Sequence, residues 1–285
     1  MSVVYRVLTP CFILTLSLLP GCAWLQQEEY DPTADWSASQ FYSTGKSELQ
    51  AGNYDTAIEH FETLQARYPF GRYAQQAQLE ISYAHYKSGQ SDQAIAAADR
   101  FIRIYPRHAG VDYAYYLRGL ANYSRGSGML ERVFPRDIAL TDSNAAQQAF
   151  SDFAELVRKF PDSRYAEDAR QRMRFLRNKL AEHEVNVGRY YLARKAYVAA
   201  ANRGRHVLEN YRSTPEVEPA LAIMAEAYQR LGMTELARDS YRVLQNSYPE
   251  SPYLARLNAL FAGEAGPPPD ARSLALHSPA WDCFD

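Results

Sequence analysis

The sequence predicts an all-α fold, a superhelical solenoid of about five helix pairs with a short C-terminal closing helix. Three observations predict it. A block of small and aromatic residues recurs along most of the 285 residues. Within each block the apolar positions recur at three- and four-residue steps, which places them on one helical face. Glycine separates the two halves of a block and an aromatic-proline pair ends it, both cheap ways to stop a helix.

The first block reads Gly52-Asn53-Tyr54-Asp55-Thr56-Ala57-Ile58, then Phe61, Leu64 and Tyr68-Pro69. It returns as Gly89-Gln90-Ser91-Asp92-Gln93-Ala94-Ile95, then Phe101 and Tyr105-Pro106. A third copy holds Ala149, Phe153, Leu156 and Phe160-Pro161. A fourth, degenerate copy holds Ala200, Val207 and Tyr211, with Arg212 where proline stood. The fifth holds Gly232, Ala237, Tyr241, Leu244 and Tyr248-Pro249. The block ends are 37, 55, 51 and 37 residues apart, so the middle two intervals carry insertions. The alanine lets two helices approach, and the aromatic four residues on fills the gap against the neighbouring helix. Phe41, Gly45, Gly52, Tyr54, Ala57, Phe61 and Pro69 sit at the signature positions of the tetratricopeptide repeat (TPR), which the pattern resembles in a slightly long form.

Helices are expected over 37–51, 54–67, 72–88, 91–105, 109–126, 144–160, 163–187, 190–211, 215–231 and 234–247. Ser251, as N-cap, and Pro252, at the first helical position, start the closing helix. The repeats fall near 37–70, 71–107, 108–162, 163–213 and 214–250 of a domain over 37–263. Residues 125–143, with glycine, proline and mixed charge, form a loop inserted in the third repeat. After Gly263 come Gly266-Pro267-Pro268-Pro269 and no periodicity, so 264–285 reads as a disordered tail.

Arg6 is the only charge before an apolar run from Val7 to Leu19. At about 13 residues the run is short of the roughly 20 a spanning helix needs, and it fits a secretory signal. It ends in Leu19-Pro20-Gly21-Cys22, which resembles a bacterial lipobox. That resemblance implies a signal peptide over 1–21, lipidation of Cys22 with S-diacylglycerol and an N-acyl chain, and a tether over 22–36. Ala23 stands where aspartate would retain such a lipoprotein at the inner membrane, so the pattern implies a lipid anchor on the periplasmic face of the outer membrane. Several acyl chains hold firmly where one is marginal. The alternative is an ordinary signal peptide with an incidental cysteine. No later segment is apolar enough to span, so membrane contact is expected through the anchor only.

Lys plus Arg is 31 and Asp plus Glu is 33, a net charge of -2 without the basic excess of a nucleic-acid binder. Three cysteines cannot build a disulfide scaffold. Cys11 leaves with the signal, Cys22 is acylated and Cys283 is alone, so no intramolecular disulfide is expected. The six histidines form no pair at a metal-ligand spacing. There is no phosphate-cradling glycine loop, nucleophile elbow or HExxH. No catalytic residue, metal or cofactor is expected beyond the covalent lipid. An enzyme would need a polar constellation that the sequence lacks.

Surfaces then carry the function, and the 22 tyrosines mark them. In TPR register the groove-facing positions are Tyr42, Lys46 and Leu49, then Gln76, Leu79, Tyr83 and Tyr86, then Tyr113, Tyr116, Leu120 and Tyr123. The fifth repeat offers Ala222, Glu226 and Gln229 instead. Aromatic walls suit an extended apolar segment, with phenols left for backbone hydrogen bonds; the alternative for each tyrosine is inter-repeat core. Arg170, Arg174 and Arg177 share one helical face, either solvated or a dock for an acidic partner.

The runs Arg67-Tyr68-Pro69-Phe70-Gly71-Arg72-Tyr73-Ala74-Gln75-Gln76, Asp99-Arg100-Phe101-Ile102-Arg103, Asp112-Tyr113-Ala114-Tyr115-Tyr116-Leu117-Arg118-Gly119-Leu120 and Phe150-Ser151-Asp152-Phe153 are more specific than generic TPR positions. With Ala196-Tyr197-Val198-Ala199 and Asn202-Arg203, they resemble the BamD (ComL) family of outer-membrane β-barrel assembly lipoproteins over roughly 38–250. The 125–143 insertion departs from the family loop. The resemblance implies a non-enzymatic scaffold whose amino-terminal repeats receive unfolded outer-membrane proteins. Its carboxyl-terminal repeats would dock the POTRA domains of BamA and meet other Bam lipoproteins. On that footing Tyr42, Phe70, Tyr73, Tyr83, Tyr86, Tyr113 and Tyr116 are expected to shape the client groove, and Asn202 and Arg203 to hold BamA. Another outer-membrane TPR lipoprotein, such as a secretin pilotin, is the alternative.

Overall fold

A computed structural model describes residues 31–125 and 143–263. The signal peptide, Cys22, most of the tether, the insertion between 125 and 143 and the 264–285 tail lie outside the described residues. Among the described residues there are eleven helices and no strand. They are α1 (Ala38–Ala51), α2 (Tyr54–Arg67), α3 (Arg72–Lys87), α4 (Ser91–Ile104), α5 (Val111–Arg125), α6 (Ser143–Lys159), α7 (Ala166–Ala193), α8 (Tyr197–Asn210), α9 (Val217–Arg230), α10 (Thr234–Ser247) and α11 (Tyr253–Phe261).

Local chemistry explains the boundaries. Ser37 opens α1 with a capping box, its hydroxyl accepting from the Gln40 N–H while the Gln40 side chain accepts from the Ser37 N–H. Gly52 closes α1 in the left-handed region at φ 85°, and the Asn53 N–H folds back to the Glu48 carbonyl at 2.9 Å. Tyr68, Tyr105, Tyr211 and Tyr248 end the second helices, each N–H returning to a carbonyl four residues earlier. Tyr211 does so with Arg212 rather than proline after it, so the aromatic, and not the proline, is the common feature of the stop.

Consecutive helices pack as antiparallel neighbours from α1 to α10. First helices also touch across repeats, α1 with α3, α3 with α5 and α7 with α9, while α2, α4 and α6 splay apart. First helices therefore line the concave side. In two of the pairs a glycine faces a large ring. A Cβ on Gly45 would lie 2.7 Å from the Phe61 ring, and one on Gly119 2.6 Å from the Phe153 ring. Ser82 takes the same place in α3, its hydroxyl donating to the Ala94 carbonyl of α4 at 3.0 Å. Phe41, Phe61, Phe101 and Phe153 are fully buried between the helices, each worth about 1.5–3 kcal/mol of transfer free energy.

Repeat four corrects the expected boundaries. The break placed between 187 and 190 does not exist: α7 is one 28-residue helix through Gly188. That glycine is a packing site, where a Cβ would meet Ile223 at 3.2 Å and Arg203 Cβ at 3.5 Å. The turn lies at Arg194–Ala196 and uses Lys195 at φ 61° where other repeats use glycine. The closing helix begins at Tyr253, one residue later than expected, and the Ser251 hydroxyl accepts from the Tyr253 N–H.

Candidate functional site

The first helices bring most of the expected tyrosines into one wall. Tyr42 of α1 packs on Tyr73 of α3, ring centroids 5.5 Å apart, and its phenol donates to Glu80 Oε1 at 3.2 Å. Lys46 Nζ donates to the same oxygen at 2.9 Å. Tyr83 follows on α3, close enough to Tyr113 of α5 to perturb its phenol. Tyr113 and Tyr116 then stack on Tyr165, just ahead of α7, at 5.1 and 4.8 Å. The Tyr116 phenol donates to Asp168 Oδ2 at 2.6 Å, and Arg172 Nε donates to the same atom at 2.6 Å. Arg172 also lies over the Tyr123 ring, which meets Phe175.

Electrostatics make this wall neutral. Glu80 is matched by Lys46 and Asp168 by Arg172. Burial, then the neighbouring Glu80 carboxylate, pushes the Tyr42 phenol up to about 12. Burial and the hydrogen bond to Asp168 do the same to Tyr116, also to about 12. Burial works to raise Asp168, but its bonds from Tyr116 and Arg172 outweigh it and hold the carboxyl below its usual range. The wall therefore offers aromatic faces and neutral phenols, suited to an apolar, aromatic-bearing segment with free backbone groups.

Other expected lining residues sit apart from these ring contacts. Phe70 stands on the α2–α3 connection, 91% exposed, with no ring partner among the described residues. Tyr86 lies half-buried against the α4–α7 core, with no polar bond into the wall. Leu49 and Leu120 are buried core rather than groove lining: Leu49 lies one turn after Gly45 and Leu120 directly after Gly119, the glycines at which these helices close on their partners. Ala222 and Glu226 of α9 are buried too, for α11 packs over that face. Sequence reasoning missed Glu80, Tyr165, Asp168, Arg172 and Phe175 as wall residues. Tyr165 repeats the Arg-Tyr-Ala order of Arg72-Tyr73-Ala74, the one signal that could have found it.

Of the expected BamA contacts, Asn202 is exposed on α8 and accepts from Arg205. Arg203 is engaged inside the fold, Nη1 donating to Glu184 Oε2 at 2.9 Å, with its side chain 42% exposed. The densest charge cluster is structural: Arg118 reaches Asp99 at 2.9 Å, Asp152 at 3.0 Å and Glu155 at 2.5 Å, tying α4, α5 and α6. Among the described residues no group of His, Cys, Asp and Glu could hold a metal. No described helix is long and apolar enough to cross a membrane.

Comparison with known proteins places this architecture. "Outer membrane protein assembly factor BamD" of Neisseria meningitidis serogroup A is 42% identical over 247 residues, 85% of this chain and 92% of that protein. The protein so named in Xylella fastidiosa (strain Temecula1) is 41% identical over 244 residues, 85% of this chain and 82% of that one. A solved TPR protein of Thermus thermophilus is similar at 14% identity over 79% of this chain and all of that one, with a TM-score of 0.34. The model of the YfiO family, described as outer membrane lipoprotein, matches residues 34–244, and the chain belongs to this family, that of the assembly factor BamD.

Proposed function

We propose that this chain is a non-enzymatic scaffold of outer-membrane β-barrel assembly. The tyrosine wall receives extended segments of unfolded outer-membrane proteins. Repeats four and five dock the POTRA domains of BamA, with Asn202 and the exposed edge of Arg203 at the contact, and other Bam lipoproteins join there. Acyl chains on Cys22 hold the scaffold on the periplasmic face of the outer membrane.

The observation that carries this reading is the run of aromatic groups along the first helices: Tyr42 with Tyr73, Tyr83 packed on the cores to either side, Tyr113 and Tyr116 with Tyr165, and Tyr123 with Phe175. Such a surface binds by stacking and backbone hydrogen bonding, without a reacting group. Relatives named as assembly factors support it over a secretin pilotin.

The test is photo-crosslinking in the full chain, with p-benzoylphenylalanine at Tyr83 or Tyr113 and a synthetic amphipathic strand ending in phenylalanine. Crosslinks are expected at both sites and not at Gln245 on α10. Capture confined to α8–α10 would overturn the groove assignment.

A further inference from the structure

Among the described residues, the N-terminal half of α7 has an unmatched side. α8 runs back along α7 from the turn at 194–196, and its 14 residues cover only the C-terminal half of a 28-residue helix. Glu184 and Gly188 mark that overlap through their contacts with Arg203. Residues 166–179 hold α5 and α6 on one side and no second helix of their own repeat on the other. At 100° per residue, Arg170, Arg174 and Arg177 share this uncovered side, opposite the Asp168–Arg172–Phe175 stripe of the wall. Their charges are poorly matched. Arg170 and Arg174 share one carboxylate, Glu167, at 3.4 and 3.9 Å. Arg170 also donates to the Pro161 carbonyl. Arg177 makes no ion pair among the described residues, and its Nε is buried without an acceptor.

We propose that the chain's own segment Trp281–Asp285 docks on this side of α7. Three properties select it over another occupant. The first is charge: residues 264–285 carry Glu264, Asp270, Asp282 and Asp285 against Arg272, facing three arginines against one glutamate. The second is shape: Trp281 and Phe284 bracket Asp282, so an aromatic can pack on the arginine stems while carboxylates meet the guanidinium groups. The third is reach. Tyr253, at the start of α11, accepts from Arg189 Nη2 at 2.9 Å, which ties the end of the solenoid to α7. A path back along α11 and α7 from Gly263 to Arg174 is about 50 Å at 1.5 Å per residue plus the side chains between, and the residues from Gly263 to Trp281 span about 60 Å extended. The contact is independent of the client reading, since it uses the other side of α7.

The test places p-benzoylphenylalanine at Gln171, exposed beside Arg174, in the full chain. Trypsin cleaves after Arg272 and releases 273–285 as one peptide. The expected result is a crosslink to that peptide at least tenfold above the yield from the same group at Gln245. It should be constant over a tenfold dilution and fall severalfold in 0.5 M salt or in the Asp282→Asn/Asp285→Asn variant. Equal yields from the two sites, a yield that rises with concentration as pairing between two copies would give, or an undiminished yield in the variant overturns the proposal.

Discussion

Arg203→Ala separates a docking role from a folding role. Glu184 is buried to 8% exposure, and the Arg203 guanidinium is its ion-pair partner. Removing the arginine strands a buried carboxylate, a loss of about 1.5–3 kcal/mol for a charge-assisted hydrogen bond. The guanidinium is 42% exposed, and solvent screening brings this down to about 1–2 kcal/mol. For a chain of this size the melting temperature should drop by roughly 3–6 °C. The Glu184→Gln/Arg203→Ala double variant removes the stranded charge and should regain about 1 kcal/mol. Urea unfolding followed at 222 nm gives the stabilities, and co-purification with BamA gives the docking. The double variant should recover stability while docking stays several-fold weakened, because the exposed edge of the guanidinium is gone. Docking that returns together with stability would show that Arg203 acts only within the fold. An Arg203→Ala chain as stable as the parent would refute the reasoning at its first step.

Three further outcomes follow from the geometry. Gly204→Ala places a Cβ 2.8 Å from the Ala220 carbonyl oxygen, which cannot yield as a side chain could, so α8 and α9 must part. Overpacking of about 3 kcal/mol, less about 1 kcal/mol of helix propensity, leaves roughly 2 kcal/mol of destabilisation in urea. Arg118→Met leaves Asp152 buried at 2% exposure without its cation and should cost about 3 kcal/mol, read from the same unfolding midpoints. The phenols of Tyr42 and Tyr116 are raised to about 12, by burial first and then by Glu80 and Asp168. A raised folded-state value stabilises below the unfolded value near 10 and loses that contribution as pH climbs from 10 to 12. Absorbance at 295 nm should show late-titrating tyrosines, one fewer in Tyr116→Phe, whose stability should fall less steeply over that window.

What the sequence made legible follows the range of the interactions. Gly45 and Phe61, or Gly119 and Phe153, betray their helix pair because a small residue facing a large one is a local requirement repeated down the chain. The tyrosine wall was legible on α1, α3 and α5 for the same reason, a fixed register behind each glycine or serine. It was lost on α7, whose extra half-helix shifts the register and hides Tyr165, Asp168 and Phe175. Gly188 misled because glycine serves both to end helices and to let them touch, and only the partner across the contact, Ile223, tells which. Lys195 in the left-handed region carries no sequence signal at all. Two adjacent tyrosines make the limit plain: Tyr115 is core and Tyr116 is wall, one helical step apart.

The last repeats turn the same register to an opposite use. Glu226 follows the small residue Ala225 as Tyr83 follows Ser82, so by register it belongs on the concave face. α11 returns across that face, and Arg256 grips Glu226 with two bonds of 3.1 and 2.8 Å. With α7, α8 and α10 on its other sides, α9 is buried from Pro219 to Ala227. Repeat four tightens the block further: Gly204 stands where earlier repeats place Phe61 or Phe153, and Met224 of α9 fills the space. Burial is thus moved from within a repeat to between repeats. On the proposed function, an extended segment lying along the wall from α1 would meet aromatic surface as far as α7 and a sealed face at α9. The stop is set by α11, so loosening the Arg256–Glu226 pair should lengthen the groove before it weakens the wall.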